Sequence, residues 1–334
     1  MPSIFFDNRS SHGGRLTGWE RTAIELSSRL KSFSTNTEIY FYEPKAKLAR
    51  VPILADFAAI SKLKSNFNIA HFPSFPPSRL FRGSTKILYT LHDLTWWKFP
   101  ETATLLGEKY YKSNAERYLE GNNFVATVSE TMKNEIVNYF GLKPELIFVT
   151  KPGVNQCNCD LNLENKEKPF LLFVGTIEPR KNLETLVNAF NISKIAKSHD
   201  LVIVGRRGWG NIPLQGARVL NNVSEDLLHM LYTKCDAVLQ PSLYEGFGLP
   251  IIEALAHGKR VICSDIPIFR EVAKQHATFV NPQSVDEWKS TLEALELTEM
   301  TTRDRVDYAN TFNWEKMALD TLSIYTHILE REPI

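Results

Sequence analysis

Residues 241–265 read Pro241-Ser-Leu-Tyr-Glu245-Gly-Phe-Gly-Leu-Pro250-Ile-Ile-Glu-Ala-Leu255-Ala-His-Gly-Lys-Arg260-Val-Ile-Cys-Ser-Asp265, and their punctuation decides the fold. The apolar run from Asp236 to Gln240 stops at Pro241 and predicts a buried strand. A turn follows in which Gly246 and Gly248 flank Phe247. Leu249 to His257 predicts a helix. Pro250 stands in its first turn, where a missing N–H costs nothing, and Gly258 stops it. Arg260 to Ser264 is the next strand. Strand, glycine turn, helix and strand make the repeat of an open parallel sheet. Such sheets bind ligands at the carboxyl ends of their strands.

Glu245 lies in the turn and Glu253 in the helix, with seven residues between them. Ionised carboxylates only accept hydrogen bonds, so vicinal hydroxyls suit them. Glycine N–H groups and a helix N-terminus favour an anion. A ligand with hydroxyls at both ends and phosphate between, such as a nucleotide sugar, meets both demands. Read singly, each glutamate is more simply an ordinary turn or helix-surface residue.

The whole string is more telling. Ser-Leu-Tyr-Glu-Gly-Phe-Gly-Leu-Pro with Glu245 and Glu253, continued by residues 258–265 and by Ile268-Phe269-Arg270-Glu271-Val272, resembles the retaining GT-B glycosyltransferases of family four. These are sugar-nucleotide-dependent mannosyl-, glucosyl- and rhamnosyltransferases. The resemblance implies an α/β, GT-B fold of two Rossmann-like domains facing across a cleft. It implies that Glu253 binds the ribose hydroxyls and Glu245 the donor sugar. The backbone N–H groups of Phe247, Gly248 and Leu249 would lie near sugar and phosphate.

A chain of 334 residues is long for one core and suggests two domains. A net charge of +1 implies no general pull toward nucleic acid. Cys157 and Cys159 lack a second pair, while Cys235 and Cys263 sit in apolar strands, so no metal pattern is formed. No signal peptide and no membrane-spanning run is read, which predicts a cytoplasmic protein with room for peripheral contact at the inner face of the membrane.

Strands and helices alternate through the first half. Ser3 to Phe6 is a strand, residues 7–14 a loop, and Thr17 to Leu30 an amphipathic helix. The segment Thr17-Gly18-Trp19-Glu20-Arg21 resembles the family's first loop and helix, where a glycine lets backbone approach the donor phosphate. Both Gly14 and Gly18 qualify. Leu54 to Leu63 is a further helix, and Lys86 to Leu91 is a strand that runs into His92-Asp93-Leu94-Thr95-Trp96-Trp97. A histidine at a strand's carboxyl end faces the ligand edge, and the resemblance gives His92 a contact with the donor sugar. Trp96 and Trp97 read either as an acceptor surface or as core packing. Residues 1–152 form the first domain, completed by a C-terminal helix at about 314–330. Residues 153–169 form a linker and 170–313 the nucleotide-sugar domain.

In the second half the strand Phe170 to Gly175 leads into Thr176-Ile177-Glu178-Pro179-Arg180-Lys181-Asn182. Asn182 is placed to cap the next helix. Arg180 and Lys181 then stand beside a strand end, where a guanidinium fork and an ammonium suit a diphosphate. The string resembles the family's diphosphate clamp. Gly175 and Arg206, at the ends of consecutive strands, border the donor in the same scheme. Val219 to Val223 is read as a strand.

The resemblance implies transfer of a hexose or deoxyhexose, mannose before rhamnose, from a nucleotide diphosphate sugar to a glycan or lipid-linked hydroxyl. Configuration is retained, and His92, Glu245, Arg180 and Lys181 sit at the reaction centre. No cofactor and no metal is expected, since the cations replace Mg²⁺. Bacterial surface polysaccharide assembly is the setting the resemblance suggests. The alternatives are a GT-B-fold nucleotide-sugar epimerase and a non-catalytic nucleotide-sugar-binding protein. A dehydrogenase is disfavoured because no Gly-x-Gly-x-x-Gly follows the first strand.

Overall fold

Every described strand pairs in parallel, so each connection must cross over and the helices cover the sheets. The computed structural model describes residues 1–12, 17–33, 37–44, 52–63, 67–81, 84–102, 106–121, 123–155, 168–295 and 301–331. Gly14, Cys157 and Cys159 lie outside them. The chain divides into two units, Met1–Gly153 with Asn313–Ile334, and Val154–Phe312.

The first unit holds β1 (Ser3–Asp7), β2 (Glu38–Tyr42), β3 (Ile69–Phe72), β4 (Lys86–Thr90), β5 (Phe124–Thr127) and β6 (Ile147–Val149). Their order is β2-β1-β3-β4-β5-β6. The strands β3 and β5 are buried at every position, as strands covered on both faces must be. The helices are α1 (Gly18–Ser32), α2 (Pro52–Leu63), α3 (Thr95–Lys98), α4 (Leu106–Leu119) and α5 (Glu130–Phe140). Ser129 starts α5 by accepting from the Met132 N–H at 3.0 Å, and Gly141 ends it at φ 67°. Part of the expected loop after β1 is a short 3-10 helix, Arg9–His12.

The second unit holds β7 (Phe170–Val174), β8 (Asp200–Val204), β9 (Ala217–Leu220), β10 (Ala237–Gln240), β11 (Arg260–Ser264) and β12 (Thr278–Val280). Their order is β12-β11-β10-β7-β8-β9, so the winding reverses between β7 and β10. Its helices are α6 (Leu183–Ile192), α7 (Glu225–Lys234), α8 (Leu249–Ala256), α9 (Pro267–Ala273), α10 (Val285–Glu293) and α11 (Thr302–Ala309). The strand expected at 219–223 sits earlier, because Asn222 takes the left-handed conformation, φ 57°, and breaks the run.

The last helix, α12 (Trp314–Glu330), belongs to the first unit. Asn313 caps it, accepting from the N–H groups of Glu315 at 2.7 Å and Lys316 at 3.1 Å. Ile324, Tyr325 and Ile328 join Ile4, Ile69 and Leu88 in that unit's core. The buried His71 of β3 fastens the helix, bonding the Tyr325 hydroxyl at 2.7 Å and the Thr90 hydroxyl at 2.9 Å. Burial pushes the His71 imidazole down to about 3, so it stays neutral. A Cβ on Gly153 would lie 2.3 Å from the Trp314 nitrogen, so only glycine lets the chain pass the start of α12. Among the described residues no helix is long and apolar enough to cross a membrane.

Candidate functional site

The reversal between β7 and β10 makes the carboxyl ends of these two central strands the natural ligand position of the second sheet. The turn after β7 is built by close backbone packing. A Cβ on Gly205 would lie 1.8 Å from the Gly175 carbonyl oxygen, so the turns after β7 and β8 touch backbone to backbone. The Ile177 N–H then donates to the Arg206 carbonyl at 2.9 Å, and the Gly208 N–H to the Ile177 carbonyl at 2.9 Å. Pro179–Lys181 form a 3-10 turn.

Asn182 ends that turn at φ 54° and does not cap α6 with its side chain, correcting the expectation. Its amide instead donates to the carbonyls of Pro241 at 3.1 Å and Pro282 at 2.7 Å. The residue therefore ties the β7 turn to the β10 turn. The Leu243 N–H reinforces the tie, donating to the Arg180 carbonyl at 2.9 Å.

These ties bring Arg180, Lys181 and Glu245 together. Arg180 Nη1 donates to Glu245 Oε2 at 3.0 Å and to the Tyr244 carbonyl at 2.8 Å, while its Nε donates to Glu178 Oε1 at 2.9 Å. Lys181 Nζ donates to Glu245 Oε1, which also accepts from the Ser242 hydroxyl at 2.8 Å. The Arg180, Lys181 and Glu245 side chains are 11%, 10% and 11% exposed. Burial alone would raise the Glu245 carboxyl, but Lys181 and Arg180 override it and hold it at about 2. Burial lowers the Lys181 ammonium, with Glu245 pulling the other way. Glu245 is thus ionised at neutral pH and has no proton to give. It can accept hydroxyls, stabilise positive charge or attack as a nucleophile, but it is no general acid.

The remaining expected residues surround or leave this cluster. Gly175 stands beside Lys181, whose Cε would be 3.7 Å from a Cβ there. Gly248, at φ 103°, precedes α8, and a Cβ on it would come within 2.9 Å of the Phe269 ring. Phe247 is buried with its ring edge-on to Phe312 at 5.9 Å, so only its backbone is available to a ligand. Leu249 opens α8, and Arg206 is exposed at the end of β8. Glu253 accepts from the buried Tyr232 hydroxyl at 2.8 Å. Its carbonyl meets His257 Nδ1 at 2.7 Å.

Gly18 is the first residue of α1, but the N-terminus of that helix already holds a carboxylate. Glu20 accepts from the Thr17 N–H and hydroxyl, both at 2.8 Å. His92 belongs to the first unit. Its Nε2 lies 2.8 Å from the Pro73 carbonyl and so must carry the hydrogen, which makes Nδ1 the acceptor. Burial lowers the His92 imidazole, with the Pro73 carbonyl and Asp93 opposing, and the ring is neutral at pH 7. Trp97 packs edge-on against Phe140 at 5.1 Å and donates to Glu116 at 3.0 Å, which fixes it. Trp96 is half-buried beside it.

Sequence reasoning missed the partners that hold these groups: Glu178, Ser242 and the Tyr244 carbonyl around the cations, and Tyr232 on Glu253. The spacing of a hydroxyl 21 residues before Glu253 carries no signal by itself. It also missed a buried network at the carboxyl end of β1. There Arg9 Nε donates to Asp7 at 2.7 Å and Arg9 Nη1 to Asp56 at 2.6 Å.

Residues 160–311 match the family model described as Glycosyl transferases group 1. O-antigen chain mannosyltransferase B of Escherichia coli is 28% identical over 284 residues, which cover 77% of this chain and 74% of that protein. O-antigen chain mannosyltransferase RfbU of Salmonella typhimurium is 32% identical over 218 residues, covering 62% of this chain and 60% of the relative. Among solved structures, WaaG, a glycosyltransferase involved in lipopolysaccharide biosynthesis, superposes with a TM-score of 0.70 at 13% identity, covering 97% of this chain and 99% of that one. Anabaena HepE in complex with UDP-glucose superposes at 0.65 with 15% identity, covering 97% and 99%. These likenesses are of fold.

Proposed function

We propose that this chain, whose residues 160–311 belong to the glycosyl transferases of group 1 and whose two parallel six-stranded sheets make a GT-B fold, moves a mannosyl group from a nucleotide diphosphate sugar to a hydroxyl of a glycan or lipid-linked acceptor. The observation that carries this reading is the Arg180–Lys181–Glu245 cluster at the β7–β10 reversal. Arg180 and Lys181 are the groups that would neutralise the departing diphosphate, without a metal ion. Fixed cations are most effective where charge develops on a leaving group. Glu253, steadied by Tyr232, would take the ribose hydroxyls, and the turn at Phe247, Gly248 and Leu249 would give backbone N–H groups to sugar and phosphate.

Chemically, the bond from the sugar C1 to the β-phosphate oxygen breaks and its electron pair leaves with the diphosphate. The acceptor oxygen bonds to C1 on the same face, and its proton passes to a phosphate oxygen. Configuration is then retained without a protein base. His92, neutral and with Nδ1 as acceptor, suits a hydroxyl of the donor sugar. Mannose is favoured because the relatives carry mannosyltransferase names, and O-antigen assembly is favoured for the same reason. A lipid-linked acceptor would bring the protein to the inner face of the membrane.

A thermal-shift panel of GDP, UDP, dTDP, ADP and CDP, with and without EDTA, tests the reading. A ligand that binds only the native state raises its melting temperature by mass action. GDP is expected to give the shift, unchanged by EDTA and weakened in Lys181→Ala. No shift with any of the five overturns the donor site.

A further inference from the structure

Three rings, two on α7 and one just past the end of α8, form a brace that ends on Glu253. His229 and Tyr232 stand three apart on α7, and Glu253 and His257 four apart across the end of α8, so each pair shares a helix face. The Tyr232 hydroxyl donates to Glu253 Oε2 at 2.8 Å. The Tyr232 ring lies stacked on the His257 imidazole, with centroids 5.1 Å apart and planes at 26°. His257 is itself fixed at both ring nitrogens. Its Nδ1 lies 2.7 Å from the Glu253 carbonyl, which only accepts, so Nδ1 carries the hydrogen. Burial pushes the imidazole down to about 4, with the Glu253 carbonyl opposing and His229 and Lys259 adding to the shift. The ring is therefore neutral at pH 7, its Nε2 is the acceptor, and His229 Nδ1, 2.8 Å away, donates to it.

This brace acts on a side chain that still meets solvent. Tyr232 and His257 are 2% and 6% exposed, whereas Glu253 is half-buried. A half-buried carboxylate ordinarily turns toward water. Here a buried phenol holds one of its oxygens, and a stacked imidazole, hydrogen-bonded on both sides, keeps the phenol from tilting. Packing does not need the hydroxyl, since a phenylalanine at 232 would fill the same space. What the hydroxyl adds is a set direction for the Glu253 carboxylate. An acceptor oriented before binding costs a ligand less to engage. It also discriminates more sharply than a mobile one, because it does not turn to another donor when a ligand hydroxyl is missing. Ribose offers it two vicinal hydroxyls, and 2′-deoxyribose one fewer.

We propose that Tyr232 and His257 are positioning residues that make Glu253 selective for ribonucleoside diphosphates over their deoxyribose counterparts. This rests on the reading of Glu253 as the ribose site, and it narrows the donor. A carrier such as dTDP brings one hydroxyl fewer to a carboxylate that is held from compensating. The test is calorimetric titration of the full chain with GDP, UDP, ADP and CDP, each beside its 2′,3′-dideoxy counterpart, and with dTDP. The ribonucleotide that binds is expected to do so roughly 10- to 100-fold tighter than its dideoxy form. Tyr232→Phe should narrow that ratio severalfold by weakening the ribonucleotide alone. His257→Phe, which keeps a stacked ring but neither hydrogen bond, should do the same. In Glu253→Ala the preference should vanish, and adding Tyr232→Phe should change nothing further. Equal affinity for a ribonucleotide and its dideoxy form in the parent chain, a preference for dTDP, or an equal loss of both forms in Tyr232→Phe would each overturn the proposal and leave the donor site standing. No binding by any of these nucleotides would remove the donor site and this inference with it.

Discussion

Glu245 holds two cations in balance, and its removal should be felt twice. In Glu245→Gln, Arg180 and Lys181 face each other with less compensation in a nearly buried site, a loss of about 3 kcal/mol. Urea unfolding should show that loss, and GDP should restore more stability to the variant than to the parent, since diphosphate oxygens replace the missing charge. Transfer should fall at least ~100-fold. The acid limb follows from the same residue. Its folded carboxyl sits at about 2 against an ordinary 4.5, so its contribution is full above 4.5 and is lost as pH falls from there toward 2. Glu245→Gln should flatten the stability–pH curve in that window by up to about 1.4 kcal/mol per pH unit. The sequence made all three residues visible, because each sits in a glycine- or proline-marked turn at a strand end. It did not make their pairing visible. Read from motifs, the cations serve the diphosphate and the glutamate the sugar. The structure has them neutralising one another across 64 and 65 residues, a distance that no local pattern encodes.

At the scale of elements, the fastening of α12 rests on one imidazole. His71→Leu leaves the Tyr325 and Thr90 hydroxyls buried without that partner, at a cost of about 2–4 kcal/mol by chemical denaturation. The His71 pKa lies near 3 against an ordinary 6.5, so stability from the neutral ring is full above 6.5 and drains as pH falls toward 3. The leucine variant should lack that slope. Gly205→Ala probes a different joint. Its new methyl would collide with the Gly175 carbonyl, push β7 and β8 apart at their ends, and displace the Arg180 turn. Weakened GDP binding with far-ultraviolet dichroism unchanged is the expected result. Strand and helix order was readable from apolar runs and their Gly, Pro and Ser boundaries. What failed were positions where a side chain chose a distant carbonyl. Asn182 looked like a cap and became a strut between two turns, and Asn222 cut short a strand that its apolar neighbours had suggested.

For the whole molecule, the two units differ in how the chain composes them. Val154–Phe312 is continuous, whereas the other unit needs both Met1–Gly153 and Asn313–Ile334. A chain ended after Phe312 should lack the cooperative unfolding of the first unit, since Ile4, Ile69 and Leu88 lose the Ile324, Tyr325 and Ile328 that pack on them. Calorimetry of that truncation should show one transition, and GDP should still shift it. The split composition has a consequence for biosynthesis. Synthesis runs through the whole continuous unit before it reaches the helix that finishes the unit begun first. The strands of the first unit therefore wait for their cover until Val154–Phe312 has been made. From the end of β6 until α12 has been made, the nascent chain carries an open first sheet, the kind of surface a holdase recognises.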